Sequence, residues 1–501
     1  MKLENILMRK DMLKCALCHN APCDRACPEN ISPSHLLRSI YFDNEDCAAL
    51  KISAVPPCLN CPAPCEYACV RSREVPIRQL LSRLVAEVRP QLDGKYPENE
   101  NVLRTELCGI PLENPFLLSS SVVASTYDMC ARAFEAGWAG AAFKTICTMD
   151  IHEASPRFSA IDGGDGSIIG FKNIEQLSDH SVPENMATFR QLKKNYPHKM
   201  ILASIMGQDE KEWTDLAYTC QENGADAIEL NFSCPNMMEG GLGSDIGQVP
   251  DLVERFTAAA KRKVKIPVLA KLTPNVASMN PAAEAAKRGG ADGLAAINTI
   301  KSIMGVNPHT FVSSPAVHGV SAVGGYSGNA VKPIGLRFIA ELGKNPALQG
   351  MHISGMGGVE TWHDALEYLA LGAGSIQITT AVMQYGYRII DDLKTGLTYF
   401  LHEKGVQHVG DIIGHGLALV SESTDVLERD TILFPKFDHA KCLGCGRCEI
   451  SCADGGHQAI QLNDKRQPIL NGAKCVGCHL CILICPAKAI HPANKRIARP
   501  K

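Results

Sequence analysis

The chain has 501 residues, 45% of them hydrophobic and 21% charged: ordinary globular usage, but too long for one average domain. Fifty Lys and Arg against 53 Asp and Glu leave a net charge of -3 with no long block of one sign, which argues against a nucleic-acid surface. No apolar leader and no run of about 18 apolar residues is present, so a cytoplasmic protein without a membrane span is expected.

The 22 cysteines are abnormal for a chain without an export signal and read as metal ligands rather than disulfides. Eight of them lie near the beginning: Cys15, Cys18, Cys23 and Cys27 in "CALCHNAPCDRACP", then Cys58, Cys61, Cys65 and Cys69 in "CLNCPAPCEYAC". About 30 residues then separate Cys69 from the middle domain that begins near residue 101, far too few for a nucleotide-binding domain.

The middle of the chain alternates short apolar runs with amphipathic stretches. Strands are predicted at "FLLSSS" from Phe116, "GAAFKTI" from Gly140, "MILASIM" from Met200, "AIELNFS" from Ala227, "PVLAKL" from Pro267, "GLAAINT" from Gly293, "MHISGM" from Met351 and "SIQITTAV" from Ser375. Helical patterns such as "DEKEWTDLAYTCQENGA" and "WHDALEYLALGA" follow strands, with Gly near their ends. Eight strand and helix pairs predict a parallel (β/α)8 barrel, an α/β fold whose site sits at the C-terminal strand ends. Those ends are chemically loaded with Lys144, Asn231, Ser233, Cys234, Lys271, Asn298 and Thr299. The loop with Gly355, Gly357 and Gly358 opens a helix and can hold a phosphate, whereas a dinucleotide motif would need glycine where Glu360 stands. One phosphate site, two lysines and several side-chain amides suit FMN and a planar, amide-bearing substrate.

The C-terminal end carries the spacing C-x2-C-x2-C-x3-C twice. Its members are Cys442, Cys445, Cys448 and Cys452, then Cys475, Cys478, Cys481 and Cys485 followed by Pro486. This is the run of two-cluster ferredoxins, in which three cysteines wrap one [4Fe-4S] cluster and the fourth crosses to the other. Cys485 is therefore expected to complete the first cluster and Cys452 the second. Zinc modules present spaced pairs rather than such triplets. Sixteen cysteines in the two end regions correspond to four clusters. The domains expected are 1-100 (α-helical, iron-sulfur), 101-434 (barrel) and 435-501 (ferredoxin-like). Cys47, Cys108, Cys130, Cys147 and Cys220 have no ligand-like spacing and read as buried inert thiols.

The stretch "CALCHNAPCDRACP...LLRSIYFDN" resembles the N-terminal iron-sulfur domain of the dihydropyrimidine dehydrogenase and glutamate synthase small-subunit families. That resemblance implies Cys15, Cys18, Cys23 and Cys69 around one cluster, with Cys27, Cys61 and Cys65 on the other. In the dihydropyrimidine dehydrogenases a glutamine on the following helix fills the eighth place. Here "VPIRQLLSRL" puts Arg83 there, leaving Cys58 as the candidate and Gln79 as the alternative. From about Cys108 to Pro486 the chain is similar to the bacterial NAD-dependent catalytic subunits of the dihydropyrimidine dehydrogenase family. "FKNIEQLSDH", "ELNFSCPN", "AKLTPN", "AAINT" and "GYSGNAVKPIGLRFI" occur in order, followed by the paired cluster runs. The resemblance implies FMN at Ser120, Lys144, Thr145, Lys271, Gly328, Gly357, Gly358, Thr379 and Thr380. It implies a pyrimidine, uracil or thymine, at Asn173, Asn231, Ser233, Asn298 and Thr299.

The same resemblance makes Cys234 a general acid, giving a proton to C5 while a hydride from the flavin N5 reaches C6. A thiol with an ordinary pKa of about 8.5 would serve both directions. Asn236 departs from the family by standing where mammalian relatives have histidine. Class 1 dihydroorotate dehydrogenases are the nearest rival, since they share the barrel, FMN and an Asn-x-Ser-Cys-Pro-Asn segment. The fused clusters and "GFKNIEQLSDH" argue against them. The remaining rival is an electron-transfer scaffold with an inert barrel, against which stand Cys234 and the two lysines. With no FAD or NAD(P)H module in the sequence, a separate electron donor is expected, either an NAD(P)H-oxidising FAD flavoprotein or a ferredoxin, within a homo-oligomer or heterotetramer.

Overall fold

The computed structural model describes residues 11–52, 58–71, 74–92, 100–163, 167–237 and 242–498. All eight predicted strands form, each shorter than its apolar run. They are β1 (Phe116–Leu118), β2 (Gly140–Ala142), β3 (Met200–Ile205), β4 (Ala227–Asn231), β5 (Val268–Lys271), β6 (Gly293–Ala296), β7 (His352–Met356) and β8 (Ser375–Ile378). Each pairs in parallel with the next, and Ile376 of β8 opposite Phe116 of β1 closes the barrel. The strands are apolar throughout because both faces are covered. Leu117, Leu202 and Leu269 fill the lumen, while Phe116, Leu118, Ile201 and Ile228 meet the surrounding helices.

A hairpin of Thr105–Leu107 and Ile110–Leu112 places Leu107 and Leu112 in the lumen cluster, plugging the N-terminal end of the barrel. The C-terminal end is flanked by a four-stranded antiparallel sheet that the sequence reading did not anticipate. Its order is Ile300–Ser302, Gly324–Ser327, Ile168–Asn173, Phe158–Asp162. Two of the helices begin at reciprocal side-chain pairs, Ser181 with Glu184 before Val182–Asn195 and Thr361 with Asp364 before Trp362–Ala370.

The chain divides into two compact units, Met1–Val420 and Ser421–Lys501. In the first unit, short helices Pro22–Arg25, Pro33–Tyr41, Glu45–Lys51, Pro64–Tyr67 and Ile77–Arg83 lie among the N-terminal cysteines, and Pro33–Tyr41 and Glu45–Lys51 meet the barrel helix Ile389–Glu403. Arg38 Nε bonds Asp392 Oδ2 at 2.6 Å, Ser39 Oγ bonds Asp392 Oδ1 at 2.6 Å, and His35 Nε2 lies 2.6 Å from Asp391 Oδ2. Burial would raise Asp391, but the hydrogen bond from His35 and the charges of Lys51, His35 and Arg38 outweigh it and hold the carboxyl down at about 2. Phe42 is buried in the barrel's own hydrophobic cluster. The second unit contains helices Arg447–Gly455 and Leu480–Leu483 with two-stranded ribbons, around Cys448, Ile460, Cys481 and Ile490. Among the described residues no helix is long and apolar enough to cross a membrane.

Candidate active site and cluster sites

Lys271 ends β5 pointing into the barrel, where a cation has no water to solvate it. Its Nζ donates to Ser120 Oγ at 2.8 Å and Ser119 Oγ at 3.3 Å, and lies 3.2 Å from Glu229 Oε1. Glu229, fully buried on β4, also accepts from Ser120 Oγ at 2.8 Å and from Gln377 Nε2 at 3.1 Å. The lysine is thus paired with a carboxylate whose own hydrogen bonds are satisfied. Lys144, just beyond β2, is likewise buried, 3.3 Å from Glu153 and 3.8 Å from Glu175. Arg157 reaches Glu175 at 2.9 Å, although burial pushes that carboxyl up.

A chain of neutral polar groups crosses the mouth. Asn231 Nδ2 donates to Thr145 Oγ1 at 2.8 Å, Ser233 Oγ to Asn231 Oδ1 at 2.8 Å, and Asn298 Nδ2 to Ser233 Oγ at 2.9 Å. The Thr299 amide donates to Asn298 Oδ1 at 2.7 Å. On the facing side Asn236 Nδ2 donates to Asn173 Oδ1 at 3.1 Å. These bonds fix which end of each amide is offered to a ligand.

Cys234 follows Ser233 at the end of the β4 segment and is buried with its thiol pushed up to about 11. Loss of water is the main cause, and the backbone amides of Asn236 and Met237 partly oppose it. Burial thus moves the group above the ordinary value of about 8.5, further toward the thiol at neutral pH. The loop it opens continues through 238–241, outside the described residues.

These groups line one cavity of about 1150 Å³, open to solvent. Thirteen of the fourteen residues expected at the flavin and substrate positions line it, together with Cys234, and the exception is Ser233, which sits fully buried behind Asn231 and Asn298. At one end Gly328, Gly357 and Gly358 have φ of +93°, +123° and +74°. A Cβ on Gly358 would lie 2.8 Å from the Gly328 carbonyl oxygen and 2.9 Å from the Lys332 amide nitrogen. Only glycine permits that approach, which leaves a backbone-lined recess fit for a phosphate. Thr379 and Thr380 face the same cavity; Thr379 Oγ1 lies 3.1 Å from Ser121 Oγ, and Thr380 Oγ1 donates to Ser327 Oγ at 2.9 Å. A recess for phosphate at one end and a buried lysine at the other fit a flavin mononucleotide.

Residues 102–401 match the family model "Dihydroorotate dehydrogenase" and residues 436–491 the model "4Fe-4S dicluster domain". The NAD-dependent dihydropyrimidine dehydrogenase subunit PreA of Escherichia coli K12 is 49% identical over 363 residues, 72% of this chain and 88% of that protein. The chain belongs to the dihydropyrimidine dehydrogenase family. The chloroplastic dihydropyrimidine dehydrogenase (NADP(+)) of Arabidopsis thaliana is 35% identical over 66% of this chain and 81% of its own length. A crystal structure of the Eimeria tenella DHODH in complex with ferulenol shares the fold, with a TM-score of 0.54 at 18% identity over 65% of this chain and 91% of that one.

As a family member the chain is an oxidoreductase acting on CH-CH groups with flavin and iron-sulfur centres. In its C-terminal unit Cys442, Cys445, Cys448 and Cys485 line one small cavity, and Cys452, Cys475, Cys478 and Cys481 line another. The two are built alike. The Gly444 and Gly477 amides each donate to the first cysteine of their run at 3.4 Å, and the Ala459 and Ala489 amides each donate to the crossing cysteine at 3.3 Å.

In the first unit Cys15, Cys18, Cys23 and Cys69 line a cavity of their own. Cys58 is pushed up to about 11, first by burial and then by the nearby Cys61 and Cys27, and Cys65 likewise feels Cys58 and Cys27. Those four thiols form a second group. Gln79 is solvent-exposed, and Arg83 is paired with Glu87 at 2.9 Å. Of the cysteines read as inert, Cys47, Cys130, Cys147 and Cys220 are buried, while Cys108 is partly exposed. Glu153, Glu175 and Glu229 were not singled out from sequence. A carboxylate at an inward strand position, as in "AIELN", was the available signal for Glu229.

Proposed function

We propose that the chain interconverts uracil or thymine and the 5,6-dihydropyrimidine, with electrons carried through its iron-sulfur clusters to or from a separate protein. The observation that carries this reading is the neutral amide chain of Asn231, Asn298, Asn173 and Asn236 beside a protonated Cys234. Asn side chains pair donor and acceptor against the imide edges of a pyrimidine. FMN supplies the hydride for C6 when bound, and accepts it in the reverse direction. Lys271 lies where reduction adds negative charge, and Glu229, Ser119 and Ser120 hold its Nζ in place. Cys234 gives its proton to C5, and burial keeps the proton on sulfur until the neighbouring carbon becomes basic.

A neutral pyrimidine is favoured over orotate by the charges present. Among the described residues the cations lining the cavity are Lys144 and Lys271, each already paired with a carboxylate, so neither is spare for a substrate carboxylate. The N-terminal cysteine groups are read as two further [4Fe-4S] sites, with Cys58 rather than Gln79 or Arg83 as the eighth ligand, and the donor as a flavoprotein or ferredoxin. The test is anaerobic purification and assay of uracil, thymine and dihydroorotate with artificial electron carriers. Turnover of dihydroorotate in preference to both dihydropyrimidines would overturn the substrate assignment.

A further inference from the structure

The two N-terminal cysteine runs are a repeat. Cys15-x2-Cys18-x4-Cys23-x3-Cys27 is followed by Cys58-x2-Cys61-x3-Cys65-x3-Cys69. In each run the third cysteine is buried in a short helix begun by proline, Pro22–Arg25 or Pro64–Tyr67, and these two helices pack together. The last cysteine crosses over: Cys69 joins the first group and Cys27 the second. The repeat extends to an arginine on each loop. Arg78 Nη1 donates to the Cys61 carbonyl at 3.0 Å, and Arg388 Nη1 donates to the equivalent Cys18 carbonyl at 3.0 Å while its Nη2 bonds the Leu17 carbonyl.

The two arginines come from different places. Arg78 belongs to the cysteine module itself, on the helix Ile77–Arg83. Arg388 belongs to the barrel, where it stands immediately before the helix Ile389–Glu403 and is tied by Nε to the Tyr385 carbonyl at 3.1 Å. Three residues further on, Asp391 and Asp392 grip His35 and Arg38 of the module. The barrel thus delivers a partly buried guanidinium to the loop joining Cys15 and Cys18.

We propose that Arg388 sets the reduction potential of the cluster held by Cys15, Cys18, Cys23 and Cys69, with the barrel lending that cluster a counter-charge from outside its own module. This rests on the N-terminal clusters read above. A [4Fe-4S] cluster takes up one electron and gains one negative charge, so a fixed cation beside it favours the reduced form, and hydrogen bonds to its loop act in the same sense. Asp24, beside Cys23, acts against it. The docked barrel therefore makes this cluster a better electron acceptor than the module alone would.

The test is an anaerobic dithionite titration of the holoprotein followed by electron paramagnetic resonance, with iron counted in every sample. R388Q with full iron should lower the midpoint of one cluster and leave the others, by about a tenfold change in its oxidised-to-reduced ratio at fixed potential, equivalent to ~59 mV for one electron. R388K, which keeps the charge, should stay near the wild-type midpoint, and R78Q should move a different cluster. Unmoved midpoints in R388Q, or R388K falling as far as R388Q, would overturn the proposal. Should R388Q lose four irons, R388K decides: a wild-type midpoint supports the charge role and a lowered one refutes it. A wild-type chain with only eight irons would sink the underlying four-cluster reading instead.

Discussion

Raising the pH should speed dihydrouracil oxidation far more than uracil reduction. In the proposed mechanism oxidation needs Cys234 as thiolate, and with the thiol pushed up to about 11 only about one molecule in 10⁴ carries it at pH 7. The rate of flavin reduction by dihydrouracil should climb about tenfold per pH unit between pH 7 and 10, roughly 10³-fold in all, because the base form grows by that factor. Uracil reduction needs the thiol, which stays intact over the same range, so its chemical step should be nearly flat. Anaerobic stopped-flow of the FMN-loaded protein reads both directions from flavin absorbance. Cys234→Ala should lose about 10²- to 10⁴-fold in the substrate step, with flavin reduction by dithionite untouched, and Cys234→Ser should also be impaired because a hydroxyl is a weaker acid than a thiol. A flat oxidation profile in the wild type, or the same slope in the alanine variant, would refute the acid and base role.

Lys271→Met removes the charge beneath the flavin site and should weaken FMN retention or lower its potential; equilibrium dialysis and a redox titration check this. Glu229→Gln leaves Lys271 buried without an anionic partner and should cost about 3–5 kcal/mol, the usual penalty for breaking a buried pair, read from denaturant unfolding of the FMN-free barrel. Anaerobically isolated protein should contain about sixteen iron and sixteen sulfide per chain, and Cys58→Ala should reduce the number by about four. Arg38→Ala strips Asp392, whose side chain is 2% exposed, of its cation, and should make the N-terminal module more readily released in limited proteolysis.

The barrel was legible because strands covered on both faces are continuous apolar runs, and eight of them at regular spacing leave one economical closure. The flanking antiparallel sheet was not. Its strands include Arg157, Asp162 and Lys172 in or beside them, and two of the four lie in the long segment between β6 and β7, where no period-2 pattern stands out. Within the site, the residues at strand ends could be named because the fold dictates where chemistry must sit. Glu229 escaped notice as one charge within an apolar run, and Glu153 and Glu175 because their meeting with Lys144 is made by loops. The contact between Arg388 and Cys18 spans 370 positions and no local pattern announces it.

The distribution of charge favours sulfur as the source of the proton in the proposed reaction. Lys271 is balanced by Glu229, Lys144 by Glu153 and Glu175, and Arg157 adds to that second group. Each of these groups is held by a partner of opposite charge, so removing any one would leave its partner unpaired. Cys234 is different: as a neutral thiol it requires no counter-ion, and burial stabilises it in that form. It becomes costly only after giving up its proton, when the thiolate draws on the Asn236 and Met237 amides and on the charge of Lys271. A site of paired charges around one neutral acid can therefore protonate a carbon that is gaining electrons while leaving every ion pair in place.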